Sequence, residues 1–295
     1  MTNLAQRVAV GVVAIPLILL LCIVGHVYFF LFVAAASAVA LREFYALAET
    51  KGARPLVLLG IIAGFAVNLC FFLPVATRPP LLVIVLLISV IAFSLRELFH
   101  NQGSPIANLS TTILGVLYIS LFFGTLIGIR QFFTPESVLP THIFPSGFVE
   151  AHTRNEIYRW GGYMTIAVFA IIWICDSAAF HVGVAGGKHK LFPRVSPQKS
   201  WEGAIAGFVF GIGAGIAAKY IALPFLPLSG AILIGAIVGT IGQLGDLTES
   251  LLKRDAGVKD SSHLIPGHGG AFDRFDSVLM VAPCVYLYLN WLFRT

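Results

Sequence analysis

Charge is what this sequence has least of. Asp, Glu, Lys and Arg together make up 11% of its 295 residues, against roughly a quarter in a soluble globular domain, and that deficit excludes an ordinary water-soluble fold. Cysteine is scarce too. Cys22, Cys70, Cys175 and Cys284 lie in or beside apolar runs, with no CxxC pair and no Cys/His quartet, so they read as small apolar fillers and not as a redox or zinc site. There is no internal repeat of the kind that transporter halves show, and the Gly186-Gly187-Lys188 string lacks the Walker spacing. A signal-peptide cleavage site is also missing. Arg7 precedes an apolar run from Val8 to Val24, but no small-residue site closes it, which predicts an uncleaved first span.

What is present is apolar. With 58% hydrophobic residues and a mean hydropathy of +0.89, the chain is expected to be an all-α integral membrane protein. Runs of about 20 residues, the length needed to cross about 30 Å of hydrocarbon, are placed at 8–25, 27–45, 56–76, 80–98, 109–129, 162–182, 203–222, 228–247 and 277–293. Nine spans put the termini on opposite sides. The side holding the N-terminus and the loops after even-numbered spans carries thirteen Lys and Arg residues and the other side six, so the positive-inside rule predicts a cytoplasmic N-terminus and an external C-terminus. The expected division is an N-terminal region, 1–160, with spans one to five and an external loop, and a catalytic region, 161–295, with spans six to nine and two cytoplasmic loops. The formal charge of +5 is scattered through the loops. It speaks for topology and anionic substrates, with no nucleic acid implied.

One stretch carries the charge that the rest avoids. Gly245 to Asp276 holds ten charged residues, six acidic and four basic, and must face water. Asp246, Glu249, Ser250 and Lys253 are spaced i, i+3, i+4 and i+7, one face of a helix. Asp273 and Asp276 repeat the i, i+3 pair at the start of the last apolar run, with Arg274 beside them. Paired carboxylates invite Mg2+, which takes oxygen ligands and completes its shell with water and substrate phosphates. Lys253, Arg254, Lys259 and Arg274 would then carry phosphate charge, and Pro266-Gly267-His268-Gly269-Gly270 offers backbone N–H groups that approach an anion closely. These are parts of a phosphoryl or nucleotidyl transfer site. Glu249 reads equally as a metal ligand or as a group orienting Lys253.

Outside that stretch, Gly203, Gly207, Gly211 and Gly215 recur every fourth residue and Gly235 and Gly239 follow. Such a stripe predicts close packing of span seven on span eight, with a homodimer interface as the alternative. Asp176 lies inside an apolar run, where a carboxylate needs a partner such as Lys188 or Lys199, or a direct role in the site. Ser200-Trp201-Glu202 opens span seven as a helix cap with an interfacial aromatic or as a substrate contact. His142 and His152, in the external loop, read as surface residues.

The run SLLKRDAGVKDSSHLIPGHGGAFDRFD, from Ser250 to Asp276, resembles the signature of the phosphatidate cytidylyltransferase (CDP-diacylglycerol synthase) family: Ser, Lys-Arg, Lys-Asp, Pro-x-His-Gly-Gly, then Asp-Arg-x-Asp. The pieces 175–203 and 242–250 are similar to that family as well, with Gln198 where the family more often has Lys. The resemblance implies an integral enzyme of the bacterial inner membrane that takes CTP and phosphatidic acid to CDP-diacylglycerol and pyrophosphate, with its site facing the cytoplasm. Asp246, Asp273 and Asp276 would hold two metal ions, Mg2+ and a second of unassigned identity. Lys253, Arg254, Lys259 and Arg274 would neutralise the triphosphate, and Lys199, Ser200, Ser250, His268, Gly269 and Gly270 would contact substrate. The rival readings are a CTP-dependent polyprenol or phytol kinase and an ion-coupled transporter built on Asp176, Asp246 and Glu249.

Overall fold

The computed structural model describes residues 3–74, 77–133, 154–265, 267 and 269–294. The described chain is helical apart from one small hairpin. The helices are α1 (Asn3–Val24), α2 (His26–Glu49), α3 (Val57–Phe72), α4 (Arg78–Glu97), α5 (Pro105–Gly115), α6 (Leu121–Arg130), α7 (Arg154–Gly186), α8 (Trp201–Ile221), α9 (Leu228–Ile237), α10 (Gln243–Asp255) and α11 (Ala271–Arg294). Single π-helical turns, Val116–Ser120 and Val238–Gly242, join α5 to α6 and α9 to α10. Each pair therefore runs as one continuous rod, Pro105–Arg130 and Leu228–Asp255.

Seven of the expected spans are apolar helices of 20 residues or more, and the other two, Val8–Val24 and Val57–Phe72, are apolar helices of 10–17 residues. The α4 helix illustrates why they suit hydrocarbon. Among its described residues only Arg78, Phe93 and Glu97 are buried, while Val83, Ile84, Leu87, Ile88, Ile91 and Leu95 are exposed. An outward face of that composition is stable only in lipid, so the protein is an integral membrane protein.

Several boundaries differ from the sequence expectation. The α7 helix begins at Arg154 and ends at Gly186, longer at both ends than 162–182, and α11 begins at Ala271, six residues before the apolar run. Hydropathy marks where lipid contact starts, whereas a helix starts where its first N–H groups find acceptors. The segment expected to be loop after α7 folds as an antiparallel hairpin, β1 (Lys190–Phe192) on β2 (Ser196–Ser200), with Lys190 opposite Ser200. His142 and His152 lie outside the described residues.

The chain groups into two compact units, each discontinuous in sequence: Met1–Gly128 with Leu252–Phe275, and Ile129–Leu251 with Asp276–Thr295. In the first, Tyr45 is fully buried and its hydroxyl donates to the Thr112 carbonyl at 2.9 Å. A Cβ at Gly60 or Gly115 would strike its ring, so two helices close around one aromatic because both present glycine. In the second unit the stripe on α8 is consumed within the chain. All four of its glycines are buried. A Cβ at Gly203 would meet the Ala179 carbonyl of α7, and one at Gly211 the Gly235 carbonyl of α9. The packing of span seven on span eight thus holds, and span six shares the same stripe.

The stripe yields opposite signs at two neighbouring positions. A Cβ at Gly215 would press on the Ala231 carbonyl, whereas one at Gly213 meets nothing within 4 Å. Gly215→Ala should destabilise the detergent-solubilised protein by about 1–3 kcal/mol through overpacking. Gly213→Ala should leave it unchanged or stabilise it by up to about 1 kcal/mol through better helix propensity. Thermal melts of the two variants compare them directly, and equal shifts would remove the stripe's packing role.

Candidate active site

The Gly245–Asp276 stretch takes in nearly all of α10, the residues that follow it and the first turns of α11. On α10 the i, i+3, i+4, i+7 spacing does put Asp246, Glu249, Ser250 and Lys253 on one helical face. Two glycines set what that face meets in the second unit. A Cβ at Gly245 would lie 2.7 Å from the Asp276 carbonyl oxygen, and one at Gly242 would lie 3.3 Å from the Val281 side chain. Gly242 and Gly245 therefore let α11 approach α10 backbone to backbone, and the carboxylates flanking that contact converge.

The three that converge are Asp246, Glu249 and Asp276, each offering an oxygen, with the three oxygens within 4.8 Å of one another. Glu249 is 1% exposed. Like charges so close repel strongly in a half-buried setting, and two cationic solutions fit. One is on hand: the Lys199 ammonium lies 2.6 Å from Asp246 Oδ2. The other is a hard divalent cation, which an all-oxygen donor set favours over softer metals, so the residues present fit a metal of that class. Ser250 Oγ donates to Asp246 Oδ1 at 3.4 Å. Asp176, on α7, feels the charges of Asp246 and Lys199, so of the two lysines expected as partners Lys199 is the one that acts on it.

Asp273, expected among the metal ligands, is not one of the three. In the first unit its carboxylate is taken up by the protein: Oδ1 accepts from the Lys253 ammonium at 2.7 Å, and Oδ2 accepts from the backbone N–H of Ser261 at 2.9 Å and of Gly270 at 2.7 Å. Both side chains are buried, Asp273 3% and Lys253 11% exposed. Lys253 is accordingly a paired interior ammonium. Arg254, Lys259 and Arg274 are exposed; the Arg254 guanidinium also donates to the Val258 carbonyl at 3.2 Å.

The hairpin residues are placed with less ambiguity than their sequence suggested. Ser200 is the N-cap of α8, its Oγ accepting from the Gly203 N–H at 3.2 Å. His189 Nδ1 pairs with Glu202 at 2.7 Å, and the Trp201 N–H donates to the His189 carbonyl at 2.9 Å. Gly269 has φ +79°, a left-handed conformation that glycine adopts without strain. His268 lies outside the described residues.

One residue at this stretch escaped the sequence reading. Glu43 of α2 is 6% exposed and accepts hydrogen bonds from Ser262 Oγ at 2.6 Å, Phe272 N at 2.8 Å, Ser261 Oγ at 3.0 Å and Ala271 N at 3.1 Å. The available signal was a lone carboxylate inside the apolar run 27–45, the same kind of signal that singled out Asp176.

The comparisons with known proteins bear on the family. A model of the cytidylyltransferase family matches residues 5–292. The chain is 34% identical to a Synechocystis protein named phosphatidate cytidylyltransferase, across 96% of each chain. It is 32% identical to the Bacillus subtilis protein of that name across 98% of each, and 31% identical to the Brucella suis one across 98% of this chain and 94% of the relative. A match that takes in every span and loop described above, with the carboxylates and basic residues of α10 and α11 inside it, places the chain plainly: it belongs to the cytidylyltransferase family.

Proposed function

We propose that this chain is a CTP:phosphatidate cytidylyltransferase, forming CDP-diacylglycerol and pyrophosphate for phospholipid synthesis. The observation that carries the reading is the convergence of Asp246, Glu249 and Asp276 beside Lys199, in a chain whose relatives bear that name across nearly their whole length. In the reaction, an oxygen of the phosphatidate phosphomonoester attacks the α-phosphorus of CTP and pyrophosphate leaves in line. No covalent enzyme intermediate is required. Asp246, Glu249 and Asp276 would hold Mg2+, and a second metal ion is part of the proposal. Bound there, the metal supplies Lewis-acid stabilisation of charge on the reacting phosphoryl oxygens.

The remaining work falls to the chain's own groups. Lys199 neutralises Asp246 and is placed to exchange that carboxylate for a substrate phosphate. Arg254, Lys259 and Arg274, exposed and cationic, carry triphosphate charge, Arg through its planar fork and Lys as a point charge. Lys253 and Asp273 fix the loop that bears Lys259 against the start of α11. Ser250, Gly269 and Gly270 remain proposed substrate contacts, along with Ser200 beyond its capping role. The site is proposed to face the cytoplasm, where nucleoside triphosphates are found, in a bacterial inner membrane, with phosphatidate entering laterally from the bilayer. The catalytic region is taken as 161–295, and a homodimer remains part of the proposal without a role in the chemistry.

Purified protein supplied with phosphatidate, Mg2+ and CTP labelled at either phosphorus tests the activity. Label at the α-position should appear in lipid and label at the γ-position in pyrophosphate. Transfer of the γ-label to lipid would mean a kinase instead.

Asp246→Asn and Asp273→Asn should fail differently. The first removes a metal-binding charge at a half-exposed position, so turnover should fall by well over 10-fold, more than about 1.4 kcal/mol in the barrier, with the melting temperature little changed. The second breaks a buried pair and removes the acceptor of two backbone N–H groups, which costs about 3–5 kcal/mol of stability, so it should melt early as well as lose activity. Melting curves and initial rates on the same preparations separate the two roles.

Topology is checked by labelling. A single cysteine at position 194 or 262, in a background lacking the four native cysteines, should react with an impermeant maleimide only from the cytoplasmic side. Reaction of both from outside would invert the proposed orientation.

A further inference from the structure

Gly270 and the start of α11 are held from an unexpected direction. A helix begins with N–H groups that have no intrahelical acceptor, and α11 is preceded by Gly270, which has no side chain to cap them. Asp273 reaches back to the Gly270 N–H at 2.7 Å, as an acidic residue three positions inside a helix does in a capping box. The next two N–H groups, of Ala271 and Phe272, go to the two oxygens of Glu43, at 3.1 and 2.8 Å. Glu43 lies 228 residues earlier, on α2. The same oxygens receive Ser262 Oγ at 2.6 Å and Ser261 Oγ at 3.0 Å. Ser261 Oγ is also 2.9 Å from Asp273 Oδ2, so one hydroxyl proton bridges the two carboxylates and serves one of them at a time.

This arrangement explains Gly270 without reference to substrate. A Cβ there would run into both oxygens of Glu43 and into Ser261 Oγ. A carboxylate anchored on another helix takes the place that an anion occupies at a free helix N-terminus. Every acceptor of Glu43 is committed to the segment 261–272, from which Arg274 emerges exposed within the same turn of helix.

From these contacts we infer that Glu43 is a positioning residue for nucleotide handling. It fixes Ser261, Ser262 and the first turn of α11, so that Lys259 and Arg274 are presented to the triphosphate in one arrangement. It touches no substrate. This rests on the cytidylyltransferase activity proposed above. A group that only kept the protein folded would, when altered, reduce the amount of active enzyme and leave both Michaelis constants unchanged. A group that orders triphosphate ligands alters affinity for the nucleotide and leaves affinity for the lipid alone.

The test uses full-length Glu43→Gln, which preserves length and volume but presents an NH2 where an acceptor is needed, with Glu43→Asp as the conservative partner that keeps the charge. The melting temperature of each solubilised variant is taken first, and KM for CTP and for phosphatidate are then measured at saturating Mg2+. Glu43→Gln should raise KM for CTP by at least about 5-fold while KM for phosphatidate stays within about 2-fold, with partial recovery in Glu43→Asp. Should Glu43→Gln be too poorly folded to assay, the same split is to be read in Ser262→Ala, which removes one of the four donors and should raise KM for CTP at least about 3-fold more than KM for phosphatidate. Unchanged Michaelis constants in an active variant, or equal rises for both substrates, overturn the inference and leave Glu43 a purely structural cap. Absence of α-phosphorus transfer in the wild-type protein overturns the activity itself, and the positioning role with it.

Discussion

The site depends first on how closely two helices can approach. Asp246 and Glu249 belong to α10 and Asp276 to α11, and a side chain larger than hydrogen at Gly245 would drive into the Asp276 carbonyl. Without that approach Asp276 would stand apart from the Asp246–Glu249 pair that α10 already holds on one face. With it they form one concentrated anionic centre, and the surrounding residues read as its consequences. Lys199 is drawn to Asp246 from the hairpin side, and Ser250 adds a hydroxyl from the next turn. In a membrane protein such packing has no hydrophobic driving force between helices to support it, so small residues at the contact carry the association.

A second carboxylate system does different work. Asp273 and Asp276 are three residues apart on one helix, about 60° around its axis, enough for their side chains to serve different neighbours. Asp276 joins the anionic centre, while Asp273 is satisfied by an ammonium and two backbone N–H groups. A buried carboxylate with that many donors has little left to offer a cation in solution. Its value is in holding Ser261 and Gly270 to the helix that follows. Thus two aspartates of one short motif divide into a charge that is presented and a charge that is spent.

How much of this could be read from residue order depended on distance along the chain. The spans were legible because hydropathy is local, and the shared face of Asp246, Glu249, Ser250 and Lys253 because helical periodicity is local as well. The family was legible because its motif is contiguous from Ser250 to Asp276. The start of α11 was missed because Ala271–Asp276 is only partly apolar, and its helicity comes from acceptors on Glu43 and Asp273. The hairpin at 190–200 was missed because its strands are three and five residues long, too short for any alternation to register. Glu43 was passed over for the plainest reason: its partners lie 218 to 229 residues away, and no periodicity spans that gap.

The order in which the chain is made gives that separation a further meaning. The first compact unit needs Leu252–Phe275 as well as everything up to Gly128, so during synthesis its early helices must wait, inserted but incomplete, while α7 to α10 are added. Glu43 enters the bilayer long before the N–H groups that will satisfy it exist. A chain that stops before Ala271 has Glu43 in place but lacks the Ala271 and Phe272 N–H groups that satisfy it. The last helix therefore closes a structure begun at the second.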